Sequence, residues 1–137
     1  MSKVLVTGGG LVGLLIAMFL YKRGNEVAVF ERHPDIRKGI IQSNRSINLT
    51  LCERGLRALA CVGLGREIYD LAIPVYGRLI HSPEGELTYQ PYGNNREAIY
   101  SISRSDLNIA LLDFAEQNFN IVVNFNKKCV GLNLSTM

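Results

Sequence analysis

Lys3-Val4-Leu5-Val6-Thr7-Gly8-Gly9-Gly10-Leu11-Val12-Gly13 opens the chain with an apolar run, a cluster of glycines and the start of a second apolar run. The first run reads as a short buried strand, Lys3 to Thr7, and the second as a helix from about Leu11 to Tyr21. Glu26-Val27-Ala28-Val29-Phe30 reads as another strand, ending at Glu31. Between the first strand and the helix, Gly8, Gly10 and Gly13 give the spacing G-x-G-x-x-G. Each has a mechanical task. Gly8 permits the tight turn out of the strand, Gly10 lets a pyrophosphate approach the backbone, and Gly13 lets helix and strand pack closely. The helix start adds unpaired N–H groups and a positive dipole end. Glu31 lies roughly 20 residues beyond the glycines, where an acid accepts hydrogen bonds from an adenosine ribose. An unphosphorylated 2′-hydroxyl suits Glu31 and a 2′-phosphate does not, which disfavours NADP here. The pattern does not separate NAD from FAD, because both carry the same ribose. The bland alternative is a glycine-rich turn in an ordinary βαβ unit, with Glu31 a solvated strand end.

At 137 residues the chain is long enough for one modest domain with a core. A net charge of +3, spread as pairs such as Lys22-Arg23 and Lys127-Lys128, gives little support for nucleic-acid binding. Cys52, Cys61 and Cys129 are widely spaced, so the expectation is reduced thiols, no metal site and a cytoplasmic protein. The N-terminal apolar helix follows a strand and is too short to span a bilayer. It also lacks the flanks of a signal peptide.

Beyond Glu31, Arg32 to Arg45 reads as a loop and Ser46 to Leu51 as a short strand or extended run. A helix is expected from Cys52 to about Val62, packing through Leu56, Leu59 and Ala60 and stopped by Gly63, with Cys52 and Cys61 as packing residues. A shorter helix follows from about Gly65 to Leu71. Pro74 interrupts. Val75–His81 and Leu87–Tyr92 then form a hairpin around Pro83-Glu84-Gly85-Glu86. His81 reads as a hairpin or core histidine rather than an acid–base group. Ala98–Ile102 is a further strand. Ser103-Arg104-Ser105-Asp106 fits a capping box before a helix with Leu107, Leu111, Phe114 and Ala115 on one face. Ile121–Phe125 is expected as a strand, and Val130–Leu134 as the start of another. The chain stops there, which is expected of the front of a larger protein; the alternative is a small complete domain whose last strand closes a sheet edge.

Several blocks then resemble one family. Arg45-Ser46-Ile47-Asn48-Leu49, Ile73-Pro74, Gly77-Arg78-Leu79-Ile80-His81, Pro91-Tyr92-Gly93, and Ser101-Ile102-Ser103-Arg104 with Leu107-Asn108 are similar to the kynurenine 3-monooxygenase family of group A FAD-dependent hydroxylases. The resemblance covers almost the whole chain. It implies an α/β fold: a Rossmann-like FAD-binding βαβ domain with an inserted β-hairpin substrate segment, truncated at its C-terminal side. Residues 1–70 would hold the FAD-binding βαβ unit and helices, 71–97 the substrate hairpin, and 98–137 the return to the FAD-binding domain. It further implies NADPH as co-substrate and hydroxylation of L-kynurenine to 3-hydroxykynurenine with O2, a step of tryptophan degradation and NAD biosynthesis. Carried over by position, Gly8, Gly10, Val12, Gly13, Glu31, Arg32, His33, Thr50 and Arg104 would bind the cofactor. Arg78 would pair with the substrate carboxylate, and Tyr92 would donate a hydrogen bond to the same end. A planar carboxylate suits the bidentate fork of an arginine. No catalytic side chain is required, because the flavin carries the hard chemistry.

Two departures stand out. Asn44 replaces a glycine usual before the Arg45–Leu49 block, and Thr50-Leu51-Cys52 stands where the family has Ala-Leu-Ser. The family's later D-G and G-D motifs are not in this sequence, so the chain alone is expected to be inactive. Two alternatives stay open: a non-catalytic NAD- or ADP-binding Rossmann module, and a related flavin hydroxylase for another aromatic acid.

Overall fold

A computed structural model describes residues 1–39, 47–94 and 97–133. The chain folds as two compact units, Met1–Ser46 with Ser105–Met137, and Ile47–Arg104.

The first unit is a three-stranded parallel sheet with helices. β1 (Lys3–Thr7) leads through α1 (Leu11–Lys22) to β2 (Glu26–Phe30), and β8 (Val122–Asn124) joins the far side of β2. The register runs Lys3↔Glu26 to Thr7↔Phe30 and Ala28↔Val122 to Phe30↔Asn124. The first strand, helix and second strand thus fall where the apolar periodicity predicts. α1 ends because Gly24 takes a positive φ of 80°, which glycine adopts at low cost. On one sheet face Val27, Val29 and Val123 are buried, and Leu14, Ala17 and Met18 of α1 join this core. α4 (Arg104–Phe119) adds Leu107, Leu111, Leu112, Ala115 and Phe119, and Phe119 meets Tyr21 of α1 edge-on at 5.6 Å. Phe114 is only half-buried, and Leu112 takes its expected place in the core.

The opposite face corrects the expectation of a buried first strand. Leu5, Ala28 and Val122 share one row across the three strands, yet Leu5 is 69% and Val122 61% exposed. A parallel sheet is normally covered on both faces. Here β1 is also an edge strand among the described residues. The strand expected at Val130–Leu134 is absent from the described residues 130–133, and Leu134 lies outside them. Val130 and Leu132 alternate in sequence but form no strand pairing among the described residues, and both are strongly exposed.

The predicted loop after β2 carries a 3-10 turn, Ile36–Lys38, with Asp35 at its N-cap. Asp35 accepts from the Arg37 amide (3.0 Å) and from Nε (2.9 Å) and Nη2 (2.8 Å) of the Arg37 guanidinium. Arg37 Nη1 donates to Asp113 (2.8 Å) and Glu116 (2.6 Å) of α4. The Phe125 ring lies 5.8 Å from the guanidinium. One arginine therefore ties three carboxylates and an aromatic face into a staple. Its hydrogen bonds hold the Asp35 carboxyl below the usual carboxylate range, against the opposing effect of burial.

In the second unit, β3 (Asn48–Leu51) and β4 (Ile73–Val75) flank β7 (Ile99–Ser103), both antiparallel to it. The predicted strand from Ser46 begins at Asn48; Ser46, Arg45 and Asn44 lie outside the described residues. Pro74 does not interrupt: it sits inside β4. An edge strand tolerates a residue without an N–H. α2 (Glu53–Val62) and α3 (Gly65–Leu71) bury Leu56, Leu59, Val62 and Ile68. Gly63 stops α2 with φ 102°. Ala60, Cys52 and Cys61 are exposed, so the expected packing roles of the two cysteines are corrected. The helix buries the stripe Leu56, Leu59 and Val62 instead. Cys52 is the N-cap residue of α2, and the Gly55 and Arg54 amides hold its thiol pKa below the ordinary value. β5 (Gly77–His81) and β6 (Leu87–Pro91) form the hairpin, with His81 exposed on it opposite Leu87. α4 begins at Arg104, directly after Ser103. This puts Ser103 and Asp106 at the N-cap and N3 positions that a capping box uses.

Two substitutions test this packing. A Cβ on Gly13 would fall on the Gly8 carbonyl oxygen, so Gly13→Ala must push α1 off β1. A loss of about 1–3 kcal/mol is expected in denaturant titration, the usual range for overpacking. Asp35→Asn tests the staple. Because the folded pKa of Asp35 is depressed, its contribution is present above about pH 4, where the unfolded carboxyl is ionised, and is lost as pH falls through the folded pKa. The variant should be destabilised at neutral pH by about 2 kcal/mol, as for a charge-assisted hydrogen bond. The stability gap to the parent should narrow in acid.

Candidate functional site

The site of the first unit forms at the carboxyl ends of the parallel strands, where ligands bind in open α/β sheets. Gly8 turns the chain out of β1 with φ +106°, and its N–H is taken up by the Phe30 carbonyl of β2 at 2.8 Å. Gly10 caps α1 in extended conformation, with no side chain bonded over the helix start. Nothing lies within 4 Å of where a Gly10 Cβ would stand. That open approach, beside unpaired helix amides, is what a phosphate group requires. Val12, on the first turn of α1, is exposed.

Glu31 follows β2 and is fixed from two sides. Its Oε2 accepts the Gly9 amide at 2.7 Å and its Oε1 the His33 amide at 2.8 Å. Each oxygen keeps lone-pair capacity for a ligand hydroxyl. Arg32 and His33 are exposed, and Arg32 Nε donates to His33 Nε2 at 3.1 Å. Two pockets open beside the carboxylate. One, of about 260 Å³, is lined by Thr7, Gly8, Phe30, Glu31, Arg32 and Lys127–Cys129. The other, of about 170 Å³, lies against Gly9, Gly10, Glu31, His33 and α4 residues Asn108 and Leu112.

The structure thus brings together Gly8, Gly10, Val12, Gly13, Glu31, Arg32 and His33 of the predicted set. Thr50, Arg78, Tyr92 and Arg104 belong to the second unit. Thr50 is exposed on β3 opposite Ser101, and Arg104 is the exposed first residue of α4. Arg78 is exposed on β5, where its Nε donates to Gln90 Oε1 at 2.8 Å. Tyr92 extends the hairpin by donating its amide to the Tyr76 carbonyl at 2.9 Å. Since Gln90 is the register partner of Arg78, Tyr92 stands diagonally across the ladder from Arg78. A concavity of about 430 Å³ on this unit is lined by Tyr76, Tyr89, Pro91 and Gly93. A Cβ on Gly77 would come within 2.7 Å of the Gln90 carbonyl oxygen as well as against the end of the Tyr89 ring, so a side chain there forces the hairpin to shift.

Sequence reading missed three contributors. Gly9 is the middle of the glycine cluster: its amide holds Glu31, and a Cβ on it would lie 3.1 Å from the Glu31 Cβ. Asn108 Nδ2 donates to the Gly9 carbonyl at 3.4 Å, which the spacing of α4 does not announce. Lys127–Cys129 reach the pocket because β8 lies beside β2, and the Lys127 amide donates to the Glu31 carbonyl at 2.8 Å. Among the described residues, no group of three or more His, Cys, Asp or Glu side chains could hold a metal ion. Nor is any helix long and apolar enough to cross a membrane.

Comparisons with known proteins agree with this geometry. The chain is 42% identical over 136 residues to "Kynurenine 3-monooxygenase" of Myxococcus xanthus (strain DK1622), covering 98% of this chain and 29% of the relative. To the protein of the same name from Anopheles gambiae it is 46% identical over 132 residues, covering 96% and 27%. The chain therefore spans less than a third of the length of these curated relatives. Among solved structures, 2-methyl-3-hydroxypyridine-5-carboxylic acid oxygenase in its tetrameric form superposes with a TM-score of 0.80 at 20% identity, over 97% of this chain and 33% of that one. p-Nitrophenol 4-monooxygenase PnpA from Pseudomonas putida DLL-E4 gives 0.71 at 21% identity, over 92% and 33%. These two likenesses concern the fold. The family model described as "FAD binding domain" matches residues 1–135, and the chain belongs to that family.

Proposed function

We propose that this chain is the N-terminal FAD-binding part of an NADPH-dependent flavoprotein monooxygenase that hydroxylates L-kynurenine to 3-hydroxykynurenine. The observation that carries the cofactor reading is the Glu31 carboxylate, fixed by the Gly9 and His33 amides beside an open glycine turn. The high identity to proteins named kynurenine 3-monooxygenase supports the substrate.

On this reading Gly8 and Gly13 bring α1 close under the turn, and the uncapped amides near Gly10 receive the pyrophosphate. Glu31 accepts hydrogen bonds from the adenosine ribose, and Arg32 and His33 flank it. The family resemblance assigns Thr50 and Arg104 to the cofactor as well. When bound, FAD supplies the redox chemistry of the hydroxylation. Arg78 then holds the substrate carboxylate and Tyr92 donates to the same end, which orients the ring without any nucleophile from the protein. Turnover needs sequence that the relatives carry beyond the matched segment, so the chain by itself binds cofactor without hydroxylating.

Titrating the purified chain with FAD tests the cofactor reading. Saturable binding with a structured flavin absorption band is expected. Glu31→Gln should weaken it by about tenfold, the loss of one charge-assisted hydrogen bond. No binding by the parent chain, or equal binding by the variant, overturns the Glu31 role. The substrate reading is tested in a chimera that joins this chain to the remaining sequence of the Myxococcus xanthus relative. There Arg78→Ala should raise the kynurenine KM by roughly 30-fold or more, as for truncating one partner of a charge pair, with FAD content unchanged. An unaltered KM removes Arg78 from the substrate site.

A further inference from the structure

We infer that Arg37 is a positioning residue for the ribose-binding carboxylate, an inference that rests on the Glu31 reading above. Besides Gly9, Gly10 and Glu31, the smaller pocket is walled by three further pieces of chain: His33, Pro34 and Ile36 after β2, Asn108 and Leu112 of α4, and Phe125 after β8. They are far apart in sequence, and Arg37 is bonded or stacked to all three. Its guanidinium holds Asp35 within the turn, Asp113 and Glu116 on α4, and the face of Phe125. Asp35, the N-cap of that turn, lies two residues after His33, whose amide fixes Glu31 Oε1. The next residues of the third piece add a second tie, since the Asn126 amide donates to the His33 carbonyl at 3.1 Å. Releasing Arg37 removes the side-chain tie between the segment 33–36 and α4 and leaves the Asn126 amide on the His33 carbonyl. The His33 amide then aims Glu31 less firmly, although Glu31 keeps its bond to Gly9. Arg37 lies outside the pocket lining and has no direct part in ligand binding. It acts through the segment that holds the carboxylate.

The test uses the 137-residue chain with two probes, ADP and 2′-deoxy-ADP, followed by calorimetric titration, with circular dichroism as a check of folding. The parent should prefer ADP, because the ribose 2′-hydroxyl meets Glu31. Arg37→Gln should weaken ADP binding by about tenfold and bring the ADP to 2′-deoxy-ADP ratio close to one. Arg37→Lys, which keeps the charge but not the fork, should recover only part of that ratio. If Arg37→Gln does not fold, the pair Asp113→Asn with Glu116→Gln, which cuts the staple from α4 alone, should show the same collapse. A lowered Tm with an unchanged ratio in the folded variant assigns Arg37 to stability only and overturns the inference. A parent chain that does not distinguish the two probes overturns the Glu31 reading, and the positioning role falls with it.

Discussion

The arrangement of the first unit depends on one close approach, that of α1 to the turn leaving β1. The Gly8 carbonyl oxygen occupies the place where a side chain at Gly13 would begin. This contact sets the depth at which the helix sits on the strand. It thereby sets where the helix amides emerge, and where Gly9 can reach across to Glu31 just beyond the neighbouring strand. A helix displaced by even one methyl group would part the amide ends from the carboxylate, so the glycine turn and Glu31 are coupled through backbone packing. That coupling explains why small residues fill the turn and why the first helix is apolar over most of its surface: burial against the strands, rather than capping, holds it in place.

The local part of this design was legible in the chain. β1, α1, β2 and α3 lie where periodicity and glycine punctuation put them, because each is set by neighbours within a dozen residues. The non-local part was not. Asp35 and Arg37 lie in a stretch that reads as polar loop, and nothing nearby indicates that their partners are Asp113 and Glu116, more than 75 residues on. Lys127–Cys129 enter the site only because β8 pairs with β2. Pro74 illustrates the opposite error. Proline argues against a strand until the pairing order shows that β4 is an edge, where the missing donor costs nothing. For the site itself, the motif located the glycines and the acid. The hairpin residues Arg78 and Tyr92 came from resemblance, and alternation alone leaves them as exposed strand residues.

The route of the chain has a kinetic side. Between β2 and its parallel neighbour β8 the chain builds the whole second unit, Ile47–Arg104. Joining β8 to β2 therefore closes a very long loop, whereas β1, α1 and β2 close a short one. Since the entropy of closure must be met before non-local pairing returns any energy, β1–α1–β2 is the natural early structure, with β8 and the Arg37 staple forming late. The side of the site that draws on Phe125 and Lys127–Cys129 is then among the last parts to form.

The uncovered sheet face has a consequence for how the protein behaves in solution. The row Leu5, Ala28 and Val122 lies open beside an edge strand whose outward N–H and C=O groups have no partner among the described residues. Such an edge is a template for a strand of another molecule. Lys3 on that strand is paired with Glu26 at 3.7 Å, whereas Lys127 and Lys128 share the same concavity with Leu5 and Leu132. Two copies that bring these faces together must also bring their lysines together, in a chain already carrying a net positive charge. The lysines thus act as gatekeepers for an apolar surface that packing leaves bare. Their protection is electrostatic, so it weakens as ionic strength rises and the Debye length shrinks. The colloidal stability of this chain is consequently tied to salt far more closely than its fold is.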